Sequence, residues 1–200
     1  MKRHLRLEEV SSAAVLRAMH AVPREEFVSD ALRACAYDDR ALPIACGQTI
    51  SQPAVVAYMT EQLRLGPGDR VLEVGTGSGY QAAVLAEIVA RVFTLERIPA
   101  LAESAAARLA RLGYRNVEVR CGDGTPGWPE AAPFDAIMVT AAADAIPPAL
   151  LAQLAEGGRL IMPVGQPEGD QVLLRVERRP GGELTWHQLW GVRFVPLIAG

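Results

Sequence analysis

An α/β fold, with a doubly wound, mostly parallel sheet and helices on both faces, is predicted by three observations. From Arg70 onward, short apolar runs rich in β-branched residues alternate with longer amphipathic stretches. That is the pattern of strand–helix units whose strands are buried on both sides. A glycine turn, Gly75-Thr-Gly-Ser-Gly79, follows the first run and leads into the apolar stretch 81–90. Carboxylates stand at or near the ends of three successive strands, as Glu73, Glu96 and Asp123. Together these describe a Rossmann-like domain that binds its ligand at the carboxyl ends of the strands.

Taken in order, residues 8–19 and 24–36 read as two short helices, the second opened by Pro23. Residues 37–52 follow neither a helical nor a strand period. Their hydroxyls and amides, mixed with Leu42, Ile44 and Ile50, predict an ordered functional loop. Pro53 opens a helix with Val55, Val56, Met59 and Leu63 on one face, ended by Gly66-Pro-Gly68. The core then reads as strand 71–74, helix 80–90, strand 92–95, helix 99–111 and strand 117–120. Strand 135–139, helix 147–155 and strand 159–164 complete it. Residues 171–178 and 184–190 alternate as two strands joined by Arg179-Pro-Gly-Gly182, a C-terminal β-hairpin on the sheet edge. No linker tract or repeat divides the chain. Residues 1–200 are therefore read as one domain, with 1–52 a helical extension plus loop and 53–200 the core.

Composition removes several classes of function. Half of the 200 residues are hydrophobic and 22% are charged, which suits one globular domain with a sizeable core. A net charge of −3 argues against a strong non-specific nucleic-acid binder. No apolar run approaches the ~20 residues needed to span a bilayer. The basic start, Met1 to Arg6, runs into Glu8 and Glu9 rather than an apolar segment, so no signal peptide is read. Cys35, Cys46 and Cys121 lack metal-ligand spacing, and neither a disulfide framework nor a metal site is indicated. A cytoplasmic protein without metal is expected.

The glycine spacing narrows the ligand. The dinucleotide fingerprint requires Gly-x-Gly-x-x-Gly, and here Tyr80 stands where the third glycine belongs. The Lys-Ser/Thr ending of a triphosphate loop is also missing. Glu73 precedes the first glycine by two residues and suits a cationic ligand better than a pyrophosphate. Glu96 lies where a ribose-binding carboxylate is expected, and Asp123 sits in Gly122-Asp-Gly124 after the third strand. The ordered set of three matches S-adenosylmethionine, which carries a sulfonium, an ammonium, a ribose and an adenine amine. Singly, Glu96 serves equally as a helix-start acid and Asp123 as a turn residue. Ser51, two residues before Pro53, reads on spacing alone as a helix cap ahead of a substrate contact.

The chain closely resembles the protein-L-isoaspartate O-methyltransferases, class I methyltransferases that use S-adenosylmethionine. The resemblance is carried by Val22-Pro-Arg-Glu-Glu-Phe-Val28, Leu42-Pro-Ile44, Gly47-Gln-Thr-Ile-Ser-Gln-Pro53 and Leu72-Glu-Val-Gly-Thr-Gly-Ser-Gly-Tyr-Gln-Ala-Ala83. It continues in Gly122-Asp-Gly124, Gly127-Trp-Pro129, Phe134-Asp135, Val139-Thr-Ala-Ala142 and Phe194-Val-Pro-Leu197. The loop 47–53 is the specific stretch, because the glycine turn is common to many methyltransferases. Ala45 departs from the pattern, standing where the family usually has glycine, and implies a stiffer loop.

The resemblance implies methyl transfer to the free carboxylate of isoaspartyl residues in damaged proteins. S-adenosylhomocysteine is the second product, and the methyl ester closes to a succinimide that begins repair. It implies Ser51 as the catalytic, orienting residue, and Gln48, Thr49, Ile50, Ser51 and Thr140 as substrate-binding. Glu73, Gly75, Thr76, Gly77, Gly79, Glu96, Asp123 and Gly124 are implied for the cofactor. The expected partners are isoaspartyl peptides and proteins, with no nucleic acid, no membrane and a monomeric chain. Such chemistry needs no strong base, since a carboxylate is already ionised at neutral pH. His4, His20 and His187 indeed fall outside the motif stretches. A methyltransferase of the same fold acting on another carboxylate or a small molecule is the alternative. A cofactor-binding module without turnover is a further one.

Overall fold

The computed structural model describes residues 10–166 and 169–200. The start of the first predicted helix, at residues 8 and 9, lies outside them. Helix α1 runs Ala13–Ala21, and Ser12 caps it by accepting the N–H of Val15. The predicted helix 24–36 is instead two 3-10 turns, Arg24–Phe27 and Asp30–Cys35, separated by extended Val28 and Ser29. The reason is a missing apolar stripe, since the second turn buries no residue at all.

The predicted loop is a small hairpin. Strands β1 (Leu42–Pro43) and β2 (Thr49–Ile50) pair antiparallel around a 3-10 turn at Ala45–Gly47. Helix α2 follows at Pro53–Gln62, with Pro53 in its first turn.

The core sheet has seven strands: β3 (Arg70–Val74), β4 (Arg91–Glu96), β5 (Val117–Cys121), β6 (Phe134–Val139), β7 (Leu154–Val164), β8 (Gln171–Arg178) and β9 (Leu184–Val192). Their order is β5-β4-β3-β6-β7-β8-β9. The first five are parallel, and the hairpin β8–β9 adds antiparallel to the edge. Helices α3 (Tyr80–Ala86), α4 (Pro99–Arg111) and α5 (Pro148–Ala152) supply crossovers. Three elements depart most from the sequence reading. α3 and α5 are shorter than predicted, and β7 starts at Leu154, its pairing with β6 irregular between Phe134 and Ala136.

Side chains alternate across the sheet. Val71, Val92, Ala136, Met138 and Ile161 pack with α2 and α3 on one face. Leu72, Phe93, Ile137, Leu160 and Met162 pack with Trp128 and Leu150 of α5 on the other. Chain order runs outward through β4 and β5, then returns to place β6 beside β3. The switch point therefore opens a crevice beyond the carboxyl ends of β3 and β6, where ligands of such sheets bind. Among the described residues no helix is long and apolar enough to cross a membrane.

Candidate active site

At the end of β3 the chain turns sharply at Gly75, with φ +100°. A β-carbon there would meet Thr140 Oγ1 at 2.3 Å, so both backbone conformation and space require glycine. Thr140 stands at the end of β6. Its N–H donates to the Val74 carbonyl at 2.9 Å and its hydroxyl to the Gly75 carbonyl at 2.6 Å. The two strand ends at the switch point are thereby tied together.

Glu96 clamps the same turn from β4. One carboxylate oxygen accepts the N–H of Gly77 at 2.8 Å and the other that of Ile98 at 3.0 Å. A carboxylate has roughly four lone-pair sites, so two remain after these bonds. Glu96 borders a small cavity of about 110 Å³, together with Gln48, Gly124, Thr140 and the tail residues Val195 to Ile198.

Glu73 lies elsewhere than the sequence reading implied. It is fully buried beneath the turn and lines neither of the two cavities at this crevice. Its Oε2 accepts the Thr94 hydroxyl at 2.5 Å, and Thr94 Oγ1 lies 2.6 Å from Thr76 Oγ1. Oε1 has no partner. Burial pushes the carboxyl up to about 8, with Glu96 adding to the rise and the Thr94 hydrogen bond opposing it. The group is thus largely neutral at pH 7. Asp123, half-buried, accepts the N–H and hydroxyl of Thr125, each at 2.8 Å, and the N–H of Gly200 at 3.2 Å. Partial burial works to raise its pKa, but these hydrogen bonds and Arg97 prevail and lower it. Gly79 packs on Leu109 and Ala105 of α4 and lines neither of these cavities.

The larger cavity, about 1140 Å³, lies between the hairpin, α2 and the β8–β9 edge. Thr49, Ile50, Ser51, Gly75, Thr76, Gly77 and Thr140 all border it. The structure so brings together most of the residues singled out from sequence, while Glu73, Gly79 and Asp123 border neither cavity. Ser51 does not cap α2. Its hydroxyl makes no hydrogen bond among the described residues, because the start of α2 is capped from Asp39, which accepts the Ala54 N–H at 3.1 Å. Asp39 was missed from the sequence, as was Arg24, whose guanidinium donates to the Ser51 carbonyl at 2.8 Å. Neither contact has a local signature, since each joins residues far apart in the chain.

The profile of the family Protein-L-isoaspartate(D-aspartate) O-methyltransferase matches residues 1–200. The chain belongs to this family. Isoaspartate O-methyltransferase 1 of Nitrosospira multiformis is 57% identical over 188 residues, covering 94% of this chain and 80% of the relative. Its counterpart in Geotalea uraniireducens is 56% identical over 198 residues, covering 99% and 90%. A solved protein-L-isoaspartate O-methyltransferase superposes with a TM-score of 0.85 at 33% identity. It matches 92% of this chain, which spans 61% of that longer one. A structure described as a putative protein-L-isoaspartate O-methyltransferase from Plasmodium falciparum, in complex with S-adenosyl-L-homocysteine, gives 0.83 at 28% identity and covers 94% and 92%.

Isoaspartate O-methyltransferases use S-adenosylmethionine, and the donor set here fits it. Glu96 retains acceptor capacity toward a diol, and Gly124 lies on the wall of the same small cavity, packed so tightly on β3 that a β-carbon there would meet Val74 Cγ1 at 2.3 Å. Among the described residues no group of His, Cys, Asp or Glu is arranged to hold a metal.

Proposed function

We propose that this chain methylates the free carboxylate of isoaspartyl residues in proteins, with Ser51 orienting the carboxylate and Glu96 and Gly124 holding the cofactor. The observation that carries the reading is the uncommitted Ser51 hydroxyl, on the wall of a cavity that also reaches the glycine turn. S-adenosylmethionine, when bound, supplies a methyl group on a positively charged sulfur. The remaining work falls to the chain. A carboxylate is ionised at neutral pH, so no base is required, and among the described residues no histidine borders either cavity. What the reaction needs is alignment of the nucleophilic oxygen and exclusion of water. The Ser51 hydroxyl donates to the carboxylate without protonating it. Apolar walls from Val56, Met59, Leu189 and Phe194 enclose the reacting groups.

The large cavity also borders the end of β9 and the stretch Arg193 to Val195, room for a peptide backbone rather than a free amino acid. We place the protein in the cytoplasm as a monomer that binds no nucleic acid, in keeping with its net charge of −3. The test is transfer of labelled methyl to a matched pair of peptides, one isoaspartyl and one aspartyl. Labelling confined to the first is the expected result. Labelling of neither, with cofactor still bound, transfers the assignment to another carboxylate or a small molecule.

A further inference from the structure

Arg24 lies in the stretch Val22 to Val28, to which the reading above gives no role. Its side chain is completely buried, which is rare for an arginine without an acidic partner. Among the described residues no carboxylate forms an ion pair with it. The acid nearest in influence, Asp39, directs its oxygens to the Ala54 N–H and the Gln52 amide. Instead Arg24 Nε donates to the Ala36 carbonyl at 2.7 Å and a terminal nitrogen donates to the Ser51 carbonyl at 2.8 Å. The other terminal nitrogen, Nη1, is buried with no hydrogen-bond partner among the described residues. The guanidinium carbon stands 4.7 Å from the centroid of the Tyr80 ring.

This arrangement joins three segments at one point: the first 3-10 turn, the residue before Tyr37, and the strand-to-helix junction at Ser51. Ser51 and Tyr80 both border the large cavity, so the cation sits directly behind the cavity wall. Burial lowers the Arg24 pKa, with Tyr80 acting in the opposite direction, yet an arginine stays charged at any physiological pH. A buried positive charge without a counter-ion is costly unless something of opposite sign arrives. The substrate class proposed above brings a carboxylate.

We propose that Arg24 is a positioning residue for the substrate carboxylate: it fixes Ser51 through its main-chain carbonyl and places a positive charge without an ion-pair partner behind the binding wall. The inference rests on the isoaspartyl reading of the cavity. It assigns Arg24 no contact with the reacting atoms and no part in cofactor binding. Its effect belongs to peptide affinity.

The test compares the wild type with Arg24→Met and Arg24→Lys, using labelled S-adenosylmethionine and an isoaspartyl peptide. Melting curves for each variant correct the rates for folded fraction. For Arg24→Met, peptide KM should rise about tenfold or more while cofactor Kd stays within about twofold. Arg24→Lys keeps the charge but cannot reach both carbonyls, so its peptide KM should fall between the two. Equal weakening of peptide and cofactor binding, or an unchanged peptide KM, overturns the proposal. If Arg24→Met does not fold, Arg24→Lys decides alone: a raised peptide KM with normal cofactor Kd supports the assignment, and wild-type behaviour removes it. Failure of the wild type to methylate the peptide is a separate result, which removes the substrate reading itself.

Discussion

The Thr140 hydroxyl donates to the Gly75 carbonyl at 2.6 Å and so joins the ends of the two strands that flank the switch point. The same oxygen occupies the space a β-carbon at position 75 would need, 2.3 Å away. Gly75→Ala therefore introduces a clash and an unfavourable φ of +100° together. We expect a loss of about 2–3 kcal/mol in stability and a marked loss of cofactor affinity. Thr140→Ala alone removes the hydroxyl shared between the Val74 and Gly75 carbonyls and should cost about 1 kcal/mol. The double variant should lose less than the sum of the two, because the second change relieves the clash. Urea unfolding of the four proteins checks this. Strict additivity would mean that the two residues are not in the contact described.

Ser51→Ala gives a sharper separation. The start of α2 is capped from Asp39, so removing the Ser51 hydroxyl should leave the melting temperature within error of wild type. A hydrogen bond to a charged group contributes about 1.5–3 kcal/mol, and kcat/KM for isoaspartyl peptide should fall at least about tenfold. Cofactor Kd should not move. A melting temperature lowered as by a lost helix cap would return Ser51 to a structural role.

Asp39→Ala should show the complementary pattern. Asp39 Oδ1 accepts the Ala54 N–H and Oδ2 accepts the Gln52 side-chain amide at 2.9 Å. Its removal takes away a helix cap and should cost about 1 kcal/mol in thermal or urea unfolding. Because the cap also fixes the junction that carries Ser51, peptide KM should rise while cofactor Kd is retained. Unchanged stability would show that water replaces the carboxylate at the helix start.

The contrast between these residues marks how far the sequence is readable. The central strands β3, β4 and β6 were legible because burial on both faces leaves short apolar runs, Val71-Leu72, Val92-Phe93 and Ala136-Ile-Met-Val139. Helix α4 was legible to the residue, with Leu101, Ala102, Ala105 and Leu109 forming its buried stripe after Pro99. The segment 24–35 was not, since its burial falls on Arg24 and Phe27 and no helical period exists to read. The hairpin at residues 42–50 escaped because its strands are two residues each and one contains Pro43. At the site, glycine spacing and strand ends drew attention to the right crevice. Which carboxylates face it depends on the pleat: Glu73 shares a face with Val71 and is driven under the turn, while Glu96 stands at the strand end. Arg24 and Asp39 act across 27 and 15 positions in sequence, distances over which a single chain carries no pattern.

Glu73 links this burial to pH. Its carboxyl is pushed from an ordinary 4.5 up to about 8, chiefly by burial. In the unfolded chain it ionises near the ordinary value, so below that pH both states hold the proton and Glu73 exerts no pH-dependent effect. Between about 4.5 and 8 the unfolded state releases its proton first, and stability falls by up to about 1.4 kcal/mol per pH unit. Above the folded value both states are ionised and the penalty levels off. Glu73→Gln keeps an acceptor for Thr94 and does not titrate. We therefore expect the variant to match wild type at acid pH and to become progressively more stable than it as pH rises, by a few kcal/mol at most above pH ~8. Urea unfolding of both proteins across this range checks the sign. A stability difference that is flat with pH would mean that Glu73 ionises as freely in the fold as in water.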